Sequence, residues 1–502
     1  MKSLLQQHVM ILGLGVSGLA MARWCAKHGA TVTVVDTRVK PPQLDALKTE
    51  LPKASYICSR FESSLLENIE LHYLLISPGI KPADVNELVS QAKQRAIHIG
   101  NELTLFNLAL VDLNESTEYQ PHVLAITGTN GKTTVTSLVG KLMVCANMTV
   151  AVAGNIGPSL LDTLSSKIDS AELPQTWVLE LSSFQLNDAN GFEPTASVVL
   201  NVTQDHLDWH ETMASYVEAK SLVYGLHSRM VINRDDEIVM GMMSQALKVN
   251  KYRKYCTFGS DAPARLGDYG LESVNGMTWL VRAISLEDVI VKKQRSLIEP
   301  SIELTMQRLI PTDALQLRGQ HNMLNALAAL ALVEAIGCSI SRVLYGLRDY
   351  KGEPHRVESI ASFKSVEYFD DSKGTNVGAT VAAIAGLGKE RKMVVILGGD
   401  GKGQDFSPLS DVVSKYVRAV VLLGKDKSII VEALKDVNVP KQVAENMMEA
   451  VLKAAALAEP GDAVLLSPAC ASLDMFNNYE HRGREFQAAV MKLMAEQEDV
   501  LQ

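Results

Sequence analysis

The stretch "LAITGTNGKTTV", Leu124 to Val135, has the residues of a phosphate loop in a shortened arrangement. The common form is G-x-x-x-x-G-K-[ST]. Counting back from Gly131-Lys132-Thr133, its first glycine belongs at 126, where Ile126 stands; the nearest glycine is Gly128. The chemistry is still available. An apolar strand pattern, "VLAI", precedes the loop and a helical pattern, "TSLVGKLMVCA", follows it. Backbone N–H groups of Gly128, Thr129, Asn130, Gly131 and Thr134 at a helix N-terminus can cradle phosphate oxygens. Lys132 can neutralise β- and γ-phosphates, and the Thr133 hydroxyl can ligate magnesium. Glu180 closes the strand-like "WVLE", where an acid can hold the same ion. His206 and His210 in "QDHLDWH" are four apart, one face of a helix, but no further His or Cys is suitably placed for zinc.

A second glycine turn opens the chain: Gly13-x-Gly15-x-x-Gly18, between a strand-like "HVMILG" and a helix-like "VSGLAMARWCAKHG". Asp36 ends the next strand, "TVTVVD". Glycines let the backbone approach a pyrophosphate, and the acid can meet a ribose hydroxyl. The pattern alone fits NAD or another nucleotide diphosphate.

These residues need elements to position them. Strand-like and helix-like runs alternate, which predicts parallel sheets covered by helices. At 502 residues, the chain is long enough for about three domains of roughly 150 residues. The expected division is 1–112, 113–352 and 353–502. The polar stretch "VDLNESTEYQPH" at 111–122 reads as a linker. Residues 226–318 are an uncertain region and a candidate insertion, although "VINRDD" and "GMTWLVRAI" look like strands. The third unit contributes "SVEYFDDS", "KMVVILGGDG", "RAVVLLG" and "DAVLLSPA".

Composition narrows the function. Charged residues are 21% of the chain, the net charge of -9 is spread out, and no basic block suggests nucleic acid. Six scattered cysteines without a C-x-x-C pair fit a reducing compartment. The apolar run "MLNALAALALVEAIGCSI" is interrupted by Asn325 and Glu334, which predicts a buried helix rather than a membrane span. The N-terminus runs directly into a strand and glycine turn, unlike a signal peptide.

The ordered set "TGTNGKTT", "AGNIG", "LELSSFQL", "NVTQDHLDWH", "YVEAK", "GQHNMLNALAA", "HR", "DDSKGTN", "LGGDGKGQDFSPL" and "SPACASLDMFNNYEHRG" resembles the Mur ligases, across nearly the whole chain. In that family G-T-N-G-K-T-T is the ordinary phosphate loop. "DDSKGTN" and "SPACASLD" resemble the branch that takes D-glutamate; a sibling ligase or a folylpolyglutamate-type ligase is the alternative. The resemblance implies a three-domain α/β protein: a Rossmann-like N-terminal domain, a phosphate-loop ATPase-like centre and a Rossmann-like C-terminal domain. It implies a cytoplasmic, monomeric enzyme using ATP, two magnesium ions and carbon dioxide held as a lysine carbamate. Its substrates would be ATP, D-glutamate and a UDP-muramoyl acceptor, which decides the first glycine turn against NAD.

Residue roles follow from the same resemblance. Lys132, Asn155, Glu180, His206 and Lys220 would serve catalysis, with Thr133, Glu180, His206 and Lys220 around the metals. Asn325, Arg356 and Asp371 would join the phosphate loop around ATP. Gly13, Leu14, Gly15, Val16, Ser17, Gly18, Asp36, Thr37, Arg38, Ser77, Pro78 and Gly79 would hold the UDP group. Lys373, Thr375, Lys402, Ser472, Leu473 and Tyr479 would surround D-glutamate. A hinge is expected near Lys351–Pro354. Trp209, where the family pattern suggests a basic residue, and Gly374, where it suggests alanine, depart from the resemblance.

Overall fold

The computed structural model describes residues 4–187, 189, 191–285, 304–388 and 391–498. Three sheets follow one another along the chain. The first is built from β1 (His8–Leu12), β2 (Thr31–Asp36), β3 (Ser55–Cys58), β4 (Tyr73–Ile76) and β5 (His98–Gly100), in the order β3-β2-β1-β4-β5. Every pairing is parallel. Val9 and Ile11 face one buried layer, Met10 and Leu12 the other. Burial on both faces explains the unbroken apolar runs of these strands.

The second sheet has nine strands: β6 (His122–Thr127), β7 (Val150–Gly154), β8 (Thr176–Glu180), β9 (Ala196–Val199), β10 (Arg229–Asn233), β11 (Tyr255–Phe258), β12 (Tyr269–Val274), β13 (Met277–Ser285) and β14 (Leu304–Pro311). Their order is β14-β13-β12-β11-β10-β9-β6-β8-β7. The pairings are parallel from β7 through β12; β12–β13 and β13–β14 are antiparallel. The region 226–318, expected as a candidate insertion, therefore supplies five strands of this sheet; residues 286–303 within it lie outside the described residues. The apolar run around Met323 is the helix Gln320–Ala335, buried over most of its length against the second sheet. Among the described residues no helix is long and apolar enough to cross a membrane.

The third sheet contains β15 (Glu358–Phe363), β16 (Val366–Asp370), β17 (Met393–Leu397), β18 (Val417–Leu422), β19 (Lys441–Val443) and β20 (Ala463–Leu466), ordered β15-β16-β20-β17-β18-β19. Only the β15–β16 pair is antiparallel.

The expected linker at 111–122 is largely helix. Glu102–Thr117 is continuous and ends at Glu118, whose φ of 58° is left-handed. Leu110 and Leu113 pack on the core while Asn114, Glu115, Ser116 and Thr117 are exposed. The polar string is thus the wet side of an amphipathic helix end. This helix joins the first two sheets. Phe106 meets Trp177 edge-on, ring centroids 5.1 Å apart, inside a core shared by both units.

Candidate active site

The phosphate loop lies at the carboxyl end of β6, between β8 and β9, where α/β sheets bind ligands. Gly131 has φ 83°, and a Cβ there would come within 2.6 Å of Asn325 Oδ1, so only glycine suits this close approach. Asn201, just beyond β9, grips Asn130: its Oδ1 accepts the Asn130 N–H at 2.8 Å and its Nδ2 donates to the Asn130 carbonyl at 3.1 Å. Thr129 Oγ1 bonds the Tyr216 hydroxyl at 3.0 Å.

Two lysines converge on one carbonyl. Lys132 Nζ donates to the oxygens of Gly128 and Thr129, each at 2.8 Å, and Lys220 Nζ donates to the same Gly128 oxygen at 3.0 Å. Burial lowers the pKa of Lys132. For Lys220, burial and then the charge of Lys132 push it well below the ordinary lysine value. Lys220 is 1% exposed, its ammonium 4.5 Å from the centre of the Tyr216 ring.

Glu180 is 1% exposed. Its Oε1 accepts from Asn155 Nδ2 at 3.1 Å, but its Oε2 is buried without a partner. A buried carboxylate oxygen left bare is costly, and a divalent cation is the natural ligand for it. His206 stands at the N-cap of the short helix Leu207–His210 with φ 54°; its Nε2 is 3.6 Å from Asp205 Oδ2. Although 43% of its side chain is exposed, desolvation of the ring lowers its pKa, which favours the neutral, metal-ligating form. His210 is not its companion on a helix face: it bonds Ser183 Oγ at 2.8 Å. Trp209 is buried against Phe184, centroids 4.6 Å apart, so this position has joined an aromatic cluster instead of presenting a charge.

The third unit closes the other side. Arg356 Nη2 donates to Thr133 Oγ1 at 2.6 Å. A cavity of about 240 Å³ lies between the units, lined by Asn130, Gly131, Thr134, Asn325, Arg356, Asp371 and Lys373 among others. Asn322, which the sequence reading passed over, also lines it and accepts from Asn325 Nδ2 at 3.1 Å. Asp371 accepts from Ser467 Oγ at 2.7 Å, and burial raises its pKa to about 7. Gly374 sits so close that a Cβ would fall 2.6 Å from Asp371 Oδ2 and 2.9 Å from Ser467 Oγ, which accounts for glycine in place of alanine.

Lys373 Nζ donates to the Tyr479 hydroxyl at 2.8 Å, and burial with the charge of Arg356 lowers the Lys373 pKa to about 8. Thr375 follows on the same loop. Ser472 is buried, whereas Leu473 and the Lys402 side chain are exposed. Lys402 is nonetheless near enough for its charge to act on His206. Arg482, 1% exposed, braces this corner by donating to the carbonyls of Cys470 at 3.0 Å and Ser372 at 2.7 Å.

At the N-terminal turn, Gly18 packs so tightly that a Cβ would meet the Gly13 carbonyl at 2.0 Å. Ser77, at the head of the Ser77–Gly79 turn, lies beside Gly13. Asp36 faces inward, 2% exposed: it accepts the Leu14 N–H at 2.7 Å and the Arg38 N–H at 2.9 Å. Burial would raise its pKa, but the Arg38 guanidinium and these N–H groups hold it near 2. These bonds tie Asp36 to the glycine turn at Leu14 and to Arg38 two residues on.

Comparisons with known proteins fit this geometry. The Mur ligase MurD-like N-terminal domain model matches residues 7–101, the Mur ligase middle domain 126–333, and the Mur ligase glutamate ligase domain 355–470. A UDP-N-acetylmuramoylalanine--D-glutamate ligase of Albidiferax ferrireducens is 56% identical over 98% of this chain and 97% of its own. Its namesake in Ralstonia nicotianae is 51% identical, covering 97% of both chains. The fold also matches the MurF ligase of Thermotoga maritima, solved with ADP, at TM-score 0.57 and 16% identity over 98% of this chain and 97% of that one. With three domain models in the right order and end-to-end relatives above half identity, the chain belongs to the Mur ligase family.

Proposed function

We propose that this chain joins D-glutamate to UDP-N-acetylmuramoyl-L-alanine with hydrolysis of ATP to ADP and phosphate, as a monomer in cytoplasmic peptidoglycan precursor synthesis. The observation that carries the reading is the end-to-end identity of 56% with a ligase of that name, alongside intact Lys132, Glu180, His206 and Lys220.

The chemistry is set by charge. A carboxylate is a poor electrophile toward an amine. The L-alanyl carboxylate oxygen takes the γ-phosphoryl group of ATP, giving an acyl phosphate and ADP. The D-glutamate amine then attacks the acyl carbon, loses its proton and displaces phosphate. Both partners in the first step are anionic, so positioning and neutralisation dominate.

Lys132 neutralises the transferring phosphoryl group, and Arg356, already on Thr133, reaches the same phosphates. Asn322 and Asn325 line the nucleotide cavity, with Asp371 toward the ribose. Asn155, held by Glu180, orients the muramoyl substrate. Thr133 and Glu180 would hold one magnesium ion; His206 and Lys220 would address a second. Magnesium there would supply positive charge to offset the negative charge of the two reactants. Lys220 suits the second site only as an anion, and a buried neutral amine can add carbon dioxide to become an oxygen-bearing carbamate. Lys373, Thr375, Lys402, Ser472, Leu473 and Tyr479 receive D-glutamate; its two carboxylates call for cations and N–H donors. The turn Gly13–Gly18, together with Asp36, Thr37 and Arg38 on one side and Ser77, Pro78 and Gly79 on the other, receives the uridine diphosphate.

The test is phosphate release from ATP across a panel of amino acids, with UDP-N-acetylmuramoyl-L-alanine as acceptor. D-glutamate alone should support turnover. Release supported by another amino acid, or by D-glutamate without the acceptor, overturns the reading.

A further inference from the structure

Asn376 has no part in the roles given above, yet it stands where the third unit touches the phosphate loop. It is 5% exposed. Its Oδ1 accepts the Ala379 N–H at 2.9 Å, capping the helix Val377–Gly388. That contact fixes the amide's orientation, because only oxygen can accept there. Nδ2 is therefore the donor on the other side. It reaches Asn130 Oδ1 at 3.2 Å and Asp205 Oδ2 at 3.3 Å, while Asn130 Nδ2 returns a bond to Asn376 Oδ1 at 3.4 Å.

Both partners are significant. Asn130 belongs to the phosphate loop, and its backbone is gripped by Asn201. Asp205 precedes His206 and lies 3.6 Å from its ring. A second contact runs alongside: Gly378 approaches Thr203 so closely that a Cβ would come within 2.7 Å of Thr203 Oγ1.

We propose that Asn376 is a positioning residue, a clasp that registers the third unit on the phosphate loop and on the Asp205–His206 turn at once. Its bonds fix where the D-glutamate loop stands relative to the phosphates. The inference rests on the ligase reading for its kinetic consequence, but the clasp has a physical readout of its own.

Asn376→Asp separates clasp from cap. An aspartate oxygen still accepts the Ala379 N–H, and aspartate is a good N-cap. It loses the Nδ2 donor and sets a carboxylate against Asp205. Gly378→Val props apart the same interface through a different contact. Small-angle scattering of the full-length protein should show a larger radius of gyration for both variants than for wild type, with the melting temperature of Asn376→Asp unchanged. The kcat should fall on the order of 100-fold, the effect of a misplaced reacting group. The KM for the UDP-muramoyl acceptor, which the first two units bind, should stay at the wild-type value. Wild-type scattering and turnover in Asn376→Asp, or a loss seen in Asn376→Ala but not in Asn376→Asp, would overturn the clasp and leave helix capping alone. A wild-type protein without ligase turnover would sink the functional reading, and the scattering comparison would still decide the clasp.

Discussion

At the scale of single residues, the decisive feature is two ammonium groups sharing the Gly128 carbonyl. Like charges so close in a buried place favour losing one of them, and Lys220 is the one pushed furthest. Lys220→Ala should lose most ligase activity, and added formate or acetate should restore part of it by filling the vacated carboxylate position. Full activity in Lys220→Ala without an added anion would remove the carbamate from the mechanism. Lys373 gives a pH prediction. With its pKa lowered to about 8, it is cationic below that pH and neutral above it. Affinity for an anionic amino acid should therefore weaken as pH rises through about 8. The KM for D-glutamate, measured from pH 7 to 9.5, should climb in wild type and stay flatter in Lys373→Arg, whose guanidinium keeps its charge.

At the scale of elements, Glu102 shows how one side chain ties helices of two units together. Its carboxylate is 1% exposed and accepts the Leu161 N–H, at the start of the helix Leu160–Asp169, at 3.2 Å. Ser17, on the first turn of the helix Val16–Lys27, also bonds to it. One buried acid thus ties the N-termini of two helices from two units. Glu102→Ala should destabilise the protein by about 1–3 kcal/mol, the usual cost of orphaned buried donors, and Glu102→Gln by less. Chemical denaturation checks both; equal stability of Glu102→Ala and wild type would dismiss the tie. Such contacts explain what could be read from the sequence. The phosphate loop and the first glycine turn were legible because strand, loop and helix are contiguous and each carries its own periodicity. Glu102, Asn322 and Asn376 were not, because a lone polar residue in a helix gives no local sign of the distant group it will meet. Asp36 was legible as an acid at a strand end, but its inward role depends on Arg38 and the Leu14 N–H. The last turns of the helix ending at Thr117 read as linker because Val111 and Leu113 are the apolar residues left there and the rest are polar.

At the scale of the whole molecule, the first two units are bound more closely to each other than to the third. Arg23 pairs with Asp162 at 3.1 Å and Lys27 with Asp169 at 2.6 Å, around the shared core of Phe106 and Trp177. The chain between Tyr350 and His355 has no regular structure, and Gly352 there has φ 90°. Calorimetry should resolve two unfolding transitions, the first two units melting together and residues beyond about 355 separately, with ATP and magnesium drawing them toward one. A single ligand-independent transition would contradict this division. The shared core also sets an order of events during synthesis. Phe106 leaves the ribosome about 70 residues before Trp177, which at roughly 5–20 residues per second is a delay of several seconds. Throughout that interval the completed first sheet presents an apolar flank with nothing yet made to cover it. The nascent chain is then at its most exposed to chaperones and to aggregation, and slowing translation once Thr117 has left the ribosome should lower the yield of folded protein more than slowing it once Leu186 has done so.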